Sequence, residues 1–210
     1  WHPYGSNSVS ASSTLANRSA KFRFRGVATH AASAPQNGRS ALDGVEAFNH
    51  MINMMREHIP QEARIHYVVT NGGGAPNVVP DFAEVFYYVR HPTAKGVQAI
   101  WARLENAARG AALGTGTDVD WEIIHGNHPL LINETLAQMV DKKLRIVGGV
   151  NYSKAEQAFA ERIINTIEEP FLSLGSEAEI QPYVVSQDYG STDVGDVSIT
   201  VPTVGFNTAT

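Results

Sequence analysis

The sequence predicts an α+β fold in which a four-stranded antiparallel sheet carries two helices on one face. Two periodicities predict it: four short segments alternate apolar and polar residues, and two longer segments repeat apolar residues at helical spacing. Along residues 20–125 their order is β-α-β-β-α-β, which is the ferredoxin-like order. Because such a sheet has open edges, an edge strand or an exposed helix is a natural surface for self-association.

The first strand and the first helix have the clearest patterns. Lys21–Arg25 alternates charged and aromatic residues, so Phe22 and Phe24 are expected to face the core. A helix is predicted from Ser40, which has the side chain of an N-cap, to about His58. The apolar positions of this helix are Leu42, Val45, Phe48, Ile52 and Met55.

The remaining elements of the sheet follow in order. Three further strands are predicted at Arg64–Thr70, Ala83–Arg90 and Asp118–Ile124. Between the last two of these strands a second amphipathic helix is predicted. Its inward face consists of Val97, Ile100, Leu104 and Ala108.

After the sheet the pattern changes. Helices are predicted at Asn133–Val147 and Ser153–Glu168, followed by the Gly/Ser/Asp-rich loop Ser186–Asp196 and a short strand at Ile199–Val201. This half has few strands of its own, so we expect it to pack on a sheet that is absent from the chain. The chain begins at Trp1 without a methionine and ends in what is typical of a buried strand. We therefore expect it to be a piece of a longer protein.

Composition excludes several classes of protein. Of the 210 residues 43% are hydrophobic, which is enough for a sizeable core. The net charge of −5 and the lack of a basic block argue against nucleic acid as a partner. The absence of cysteine excludes disulfides, zinc-thiolate sites and a cysteine nucleophile. No apolar run has the length of about 18 residues that a membrane span needs. No signal-peptide pattern opens the chain, so a cytoplasmic protein is expected.

Three polar residues stand where chemistry is possible. His30 lies among small residues between a strand and a helix, Asn77 lies between a glycine run and Val-Val-Pro, and Arg90 ends the third strand. An arginine fork is the usual partner of a substrate carboxylate, and the three side chains are expected to converge on one substrate. The alternatives are structural: His30 caps a turn, Asn77 makes a turn and Arg90 pairs with a surface acid.

The order of these residues resembles the metal-dependent aminoacylase and carboxypeptidase family, which includes hippurate hydrolases and p-aminobenzoyl-glutamate hydrolases. The similarity rests on Gly-x-x-x-His-Ala-x-x-x-Pro at 26–35, Gly-Arg-Ser-Ala at 38–41, Asn-Val-Val-Pro at 77–80, and Arg90. The tail at 190–198 resembles the p-aminobenzoyl-glutamate hydrolase branch in particular.

The resemblance implies a division of the chain and a cofactor. Residues 1–16 correspond to the end of an N-terminal catalytic segment, residues 17–125 to a lid or dimerisation domain, and residues 126–210 to an incomplete C-terminal part of an α/β catalytic domain. The family uses a pair of divalent metal ions, Zn or Mn. A homodimer formed through the lid domain is implied as well.

The resemblance also implies roles for single residues. His30 acts across the dimer interface and helps to stabilise the oxyanion. His2 matches a metal ligand, or else is a frayed terminal residue. The implied substrate-binding set is Asn77, Arg90 (on the substrate carboxylate), Ser191, Thr192 and Asp193. The alternative for Asp193 is an Asx-turn.

The catalytic centre is incomplete in this sequence, because the family's other metal ligands and its general-base glutamate have no counterparts here. The pair Glu168–Glu169 does not replace them, and five further histidines show no ligand spacing that would; these are His58, His66, His91, His125 and His128. The sequence thus predicts an inactive fragment of an amidohydrolase that cleaves the amide between an acyl or aryl-acyl group and an amino acid, such as p-aminobenzoyl-glutamate, by metal-activated water. A non-catalytic dimerisation module is the alternative, and a small-molecule regulatory domain ranks third.

Overall fold

The computed structural model describes residues 4–209, which fall into two compact units. The sheet unit comprises Thr14–Pro129 and Tyr189–Asp196, and the terminal unit comprises Trp1–Ser13, Leu130–Asp188 and Val197–Thr210. The elements in chain order are β1 (Ser8–Ser10), β2 (Ser12–Ser13), β3 (Ala16–Arg25), α1 (Ala41–Met55), β4 (Arg64–Asn71), β5 (Phe82–His91), α2 (Ala94–Thr115), β6 (Asp118–Asn127), α3 (Glu134–Val147), α4 (Lys154–Ile164), β7 (Ser186–Gln187), α5 (Val194–Ser198) and β8 (Gly205–Asn207).

The sheet unit has the four strands and two helices that the periodicities predict. The strand order is β4-β5-β3-β6, and every neighbouring pair is antiparallel. Helices α1 and α2 pack together on one face of this sheet. The prediction of a four-stranded antiparallel sheet with two helices is therefore confirmed. The first strand begins five residues earlier than the alternation at Lys21 indicates, at Ala16.

Aromatic side chains form the centre of the core between sheet and helices. Phe22 and Phe24 are fully buried, as predicted, and their charged neighbours along β3 point to the other face. The Phe22 ring packs on Phe48 of α1 and edge-on against Tyr87 of β5, with ring centroids 4.9 and 5.9 Å away. The Tyr87 hydroxyl donates a 2.6 Å hydrogen bond to Asn49 Oδ1, and burial raises the pKa of Tyr87.

Each of the two helices begins at a side-chain cap. The Ser40 hydroxyl accepts a hydrogen bond from the Asp43 amide, and Thr93 caps α2 in the same way through the Gly96 amide. Helix α2 ends at Thr115 and is followed by Gly116, whose φ of +67° is the left-handed conformation that favours glycine at a helix end. The helix predicted from Ser40 to His58 is thus an α-helix to Met55 followed by one tight turn.

The terminal unit contains two helices and two small two-stranded sheets, in which β1 pairs antiparallel with β8 and β2 parallel with β7. Helix α3 begins at Glu134, and Asn133, the first residue of the predicted helix, is its N-cap. Ser153 and Glu156 form a capping box at the start of α4, but this helix ends at Ile164, short of the predicted Glu168. Among residues 4–209, no helix is long and apolar enough to span a bilayer.

The short strand predicted at Ile199–Val201 is wrong. The amides of Thr200 and Val201 both donate to the Val197 carbonyl, at 3.0 and 2.9 Å, so the chain continues helically beyond α5. Local hydrogen bonds override the strand propensity of these β-branched residues. The last strand, β8, lies further on at Gly205–Asn207.

Candidate functional site

The His30 loop and the Asn77 loop lie against each other in the sheet unit. His30 forms a single antiparallel bridge with Val78, and the Ala31 amide donates a 2.9 Å hydrogen bond to the Asn77 carbonyl. The Val79 amide donates to the Thr29 carbonyl at the same distance, 2.9 Å. The structure thus brings together two of the residues singled out from the sequence, and we call these two loops the His30–Asn77 cluster.

The hydrogen bonds of the imidazole determine which nitrogen of His30 is available. The backbone amides of Ala32 and Ser33 donate to Nδ1, at 3.2 and 3.1 Å. In the neutral ring the proton is therefore on Nε2, and the side chain is exposed. This arrangement presents an N–H donor outward from a loop whose backbone is fixed on both sides.

The Gly-Arg-Ser-Ala segment at 38–41 has a structural explanation. The Arg39 amide and carbonyl pair with those of Val27, at 3.0 and 2.8 Å, and the next residue, Ser40, caps α1. The Ala41 amide donates to the Pro80 carbonyl at 2.8 Å. This segment therefore ties the His30 loop, the start of α1 and the end of the Asn77 loop into one backbone framework.

Gly26 is required at the start of the His30 loop because the Arg39 backbone passes directly over it. A Cβ at Gly26 would lie 1.9 Å from the Arg39 carbonyl oxygen. We expect Gly26→Ala to lower the free energy of unfolding by about 1–3 kcal/mol, the usual cost of forcing extra atoms into a packed site. Urea denaturation of the chain measures this loss. Gly110→Ala is the matched control: it lies inside α2 with open space around it, so it is expected to stabilise by about 0.5–1 kcal/mol.

A second polar cluster surrounds Arg90 near the end of β5. Arg90 Nη1 donates a 3.0 Å hydrogen bond to Ser191 Oγ, and the guanidinium lies 5.7 Å from the centre of the Tyr88 ring. The neighbouring Thr192 is held by its carbonyl, which accepts a 3.0 Å bond from Asn127 Nδ2. Within the described part of the chain Arg90 forms no ion pair, so pairing with a surface acid does not explain it.

The remaining predicted residues lie beside this Arg90 cluster. Asp193 is exposed and accepts a 3.4 Å hydrogen bond from the Thr192 hydroxyl, while its carbonyl accepts from the Asp196 amide. Ser191 and Thr192 are half-buried. Asp196 in turn accepts hydrogen bonds from the amide and ring of His128, and these bonds hold the pKa of Asp196 below its ordinary value. The segment 189–196 is thus anchored to the sheet at several points.

The prediction that His30, Asn77 and Arg90 converge within one chain is wrong. Strands β3 and β5 are antiparallel, so Arg25, just before the His30 loop, pairs with Phe82, whereas Arg90 pairs with Asn17 at the other end of β3. About eight residues of strand, or about 27 Å, separate these ends. The His30–Asn77 cluster and the Arg90 cluster therefore lie at opposite ends of the same sheet.

The sequence reasoning missed the charged and aromatic groups beside Arg90. Arg64 lies directly opposite Arg90 in the pairing of β4 with β5, and its guanidinium is 5.4 Å from the centre of the Tyr189 ring. His66 follows on the same strand face. Desolvation, and then the positive charges of Arg90, Arg56 and Arg64, lower the pKa of His66. Only the strand register could have revealed this neighbourhood.

A metal site is not built from the residues that the structure describes. Between Tyr4 and Ala209 no three His, Asp or Glu side chains gather as a ligand set. His2, the metal ligand that the sequence suggests, lies outside the described residues. These residues do not fit a resident metal ion by themselves.

Comparison with known proteins identifies the class. Residues 16–115 match the M20 peptidase dimerisation domain. The matched residues, just under half of the chain, thus correspond to a peptidase dimerisation domain. The resemblance to metal-dependent amidohydrolases is confirmed.

Two curated relatives are more specific. A subunit of the p-aminobenzoyl-glutamate hydrolase from Escherichia coli strain K12 is 36% identical over 96% of this chain and 47% of its own length. A mouse Xaa-Arg dipeptidase is 29% identical over 90% of this chain and 38% of its own length. The first is named a hydrolase and the second a dipeptidase, and the chain spans less than half the length of either.

Solved structures support the fold. An aminobenzoyl-glutamate utilization protein from Klebsiella pneumoniae superposes with a TM-score of 0.59 at 16% identity. The match covers 92% of this chain and 44% of that one. At this identity the likeness is one of fold alone.

Proposed function

We propose that this chain is the lid and C-terminal part of a metal-dependent amidohydrolase that cleaves the amide between an acyl or aryl-acyl group and an amino acid, with p-aminobenzoyl-glutamate and N-acyl amino acids as candidate substrates. In the longer protein of which we propose this chain is a part, called the parent protein below, bound Zn or Mn ions would activate the attacking water. His30 donates a hydrogen bond from its Nε2–H group to the oxyanion, and Asn77 helps to hold the substrate. Arg90, steadied by Ser191 beside Thr192 and Asp193, binds the substrate carboxylate.

The domain assignment is part of this proposal. The ferredoxin-like class for residues 17–125 is supported by the strand order β4-β5-β3-β6 with both helices on one face. Residues 1–16 and 126–210 are assigned to the catalytic domain. Their support is an apolar groove beside α4, open to solvent, whose exposed side chains need further protein to cover them; they include Phe159, Ile163, Ile167 and Phe171. The cytoplasmic location stays a prediction.

Strand β4 is the edge through which we propose that two protomers join. It pairs with β5 on one side only, so the other side of the strand offers unpaired backbone groups. The side chains of Tyr67, Val68 and Val69 on this strand are 37–55% exposed. Three consecutive exposed apolar residues are unusual on a strand edge that stays in contact with water. Two such edges can pair antiparallel about a two-fold axis and continue the sheet across the interface.

The direction of β4 is the observation that carries the proposal. Arg64 at its start lies beside Arg90, and Asn71 at its end leads into the loop that carries Asn77. An antiparallel pair of β4 strands places the end of one beside the start of the other. The His30–Asn77 cluster of one protomer then meets the Arg90 cluster of its partner, although the two are far apart within one chain.

Hydrolysis assays on two proteins test this function. With added Mn or Zn, the parent protein is expected to hydrolyse p-aminobenzoyl-glutamate or hippurate. The 210-residue chain alone is expected to show no turnover, because its described residues assemble no ligand set. Turnover by the 210-residue chain would contradict the proposal that the metal site lies elsewhere in the parent. A parent that dimerises through this chain yet cleaves no amide would favour the non-catalytic dimerisation module instead.

A further inference from the structure

The face of the sheet that the helices leave open carries two arginines directly opposite each other. Arg64 of β4 and Arg90 of β5 are register partners. Their strand neighbours Ile65 and Val89 are buried on the helix face. Because side chains alternate between the two faces of a strand, both arginines lie on the other face. Side chains directly opposite in an antiparallel pair have Cβ atoms about 5 Å apart, and like charges there are destabilising. Neither arginine forms an ion pair with any described residue.

Both guanidinium groups are held in place by neutral partners. Arg64 Nη1 donates to the carbonyls of Gln61 and Ala63, at 2.6 and 2.8 Å, and its guanidinium stacks on Tyr189. Arg90 is held by Ser191, two residues further on. The two arginines therefore converge on one short segment, and each keeps N–H donors without a protein acceptor among the described residues.

Unpaired polar atoms mark the same place. Arg90 Nε and Asn17 Oδ1 are both buried without a hydrogen-bond partner among residues 4–209, and Asn17 is the register partner of Arg90 on β3. Buried polar groups in proteins are nearly always hydrogen-bonded. Of these two atoms, only Arg90 Nε is a donor and can serve an anion, because the Asn17 oxygen is an acceptor. Two arginines without ion pairs, one of them with a buried unpaired N–H group, have the charge and the donors that a carboxylate needs.

We propose that Arg64 and Arg90 together bind two carboxylates of one substrate, and that the enzyme therefore selects amides of an acidic amino acid. This inference rests on the proposed amidohydrolase function and adds the side chain of the substrate to it. Arg90 takes the α-carboxylate, and Arg64 takes the carboxylate of a glutamate-type side chain a short carbon chain away. Two arginines would repel a basic side chain on the substrate. The arrangement therefore fits the glutamate in the name of the bacterial relative better than the arginine in the name of the dipeptidase.

The test compares substrates that differ only in charge. The kcat/KM of the parent protein is measured for N-acyl-glutamate, N-acyl-glutamine and N-acyl-arginine. The wild type is expected to prefer the glutamate substrate. Arg64→Gln is expected to lower kcat/KM for this substrate by about tenfold to a hundredfold, because it removes a hydrogen-bonded charge pair. The glutamine substrate is expected to change by less than about threefold. Arg64→Lys keeps the charge and is expected to keep part of the preference.

Arg103→Gln is the matched control, because Arg103 is an exposed arginine of α2 that also donates to a backbone carbonyl, that of His58. It is expected to leave the preference unchanged. Equal losses on the glutamate and glutamine substrates in Arg64→Gln, or a wild-type preference for arginine, would overturn the inference.

Binding of L-glutamate and L-glutamine to the parent, measured by calorimetry, separates the two proposals. If no amide is cleaved but glutamate binds more tightly than glutamine in an Arg64-dependent way, the amidohydrolase function fails and the two-carboxylate site stands. If amides are cleaved without this difference in binding, the two-carboxylate site fails alone.

Discussion

His30→Ala in the parent protein is expected to lower kcat by about a hundredfold or more, the usual cost of removing one oxyanion donor. The structure gives the physical reason. Two backbone amides occupy Nδ1, so the ring offers its N–H at Nε2, and a methyl group replaces that donor. In the proposed site the Arg90 cluster, and not His30, holds the substrate carboxylate, so KM is expected to change much less than kcat. Steady-state kinetics with p-aminobenzoyl-glutamate measures both constants.

His58→Ala is the control for this substitution. His58 is also an exposed histidine of the sheet unit, but it lies in the turn after α1, away from the His30–Asn77 cluster. Its replacement is expected to leave kcat within about twofold, as for most surface substitutions. A His30→Ala enzyme with a near-wild-type kcat would rule out the oxyanion role.

Mixing two inactive variants is expected to restore activity. In a dimer whose sites combine Arg90 of one protomer with His30 of the other, a mixed dimer of His30→Ala and Arg90→Ala has one intact site and one doubly damaged site. Random assortment makes half of the dimers mixed, so about a quarter of the wild-type rate is expected after subunit exchange. If both residues act within the same protomer, no mixed dimer contains an intact site, and the rate stays at the level of the variants.

The matched control pairs two variants from the same cluster. A mixture of His30→Ala and Asn77→Ala is expected to show no recovery, because each site takes both residues from one protomer and is damaged in either arrangement. Recovery in this mixture would show that His30 and Asn77 serve different sites, against the 2.9 Å hydrogen bond that joins their loops. Size-exclusion chromatography checks that every variant still forms dimers.

The elements of the sheet unit were predictable because their burial follows simple periods. Phe22 and Phe24 alternate with charged residues, and the apolar positions of α1 repeat at helical spacing from its cap at Ser40. The start of β3 at residues 16–20 was not predicted because Ala-Asn-Arg-Ser-Ala has no strong apolar alternation. The helical turn at Ile199–Val201 escaped it because local hydrogen bonds decide so short a segment.

The neighbourhood of each candidate residue was less predictable than its identity. His30, Asn77 and Arg90 were singled out from residue type and surroundings, yet their distances depend on which strands are neighbours and in what direction. The antiparallel pairing of β3 with β5 separates His30 from Arg90, and the pairing of β4 with β5 brings Arg64 beside Arg90. Strand register arises from the packing of the whole sheet, so no local pattern in the sequence contains it.

The continuity of β4 with the Asn77 loop has a consequence for how the parent behaves in solution. The strand proposed to join two protomers ends at Asn71, and the chain passes directly into the loop that carries Asn77 and rests on the His30 loop. If the proposed dimer forms through this strand, separating the protomers removes both His30 and Asn77 from the partner's site at the same time. Turnover per protomer is therefore expected to fall when the protein is diluted below the dissociation constant of the dimer, so its specific activity depends on protein concentration.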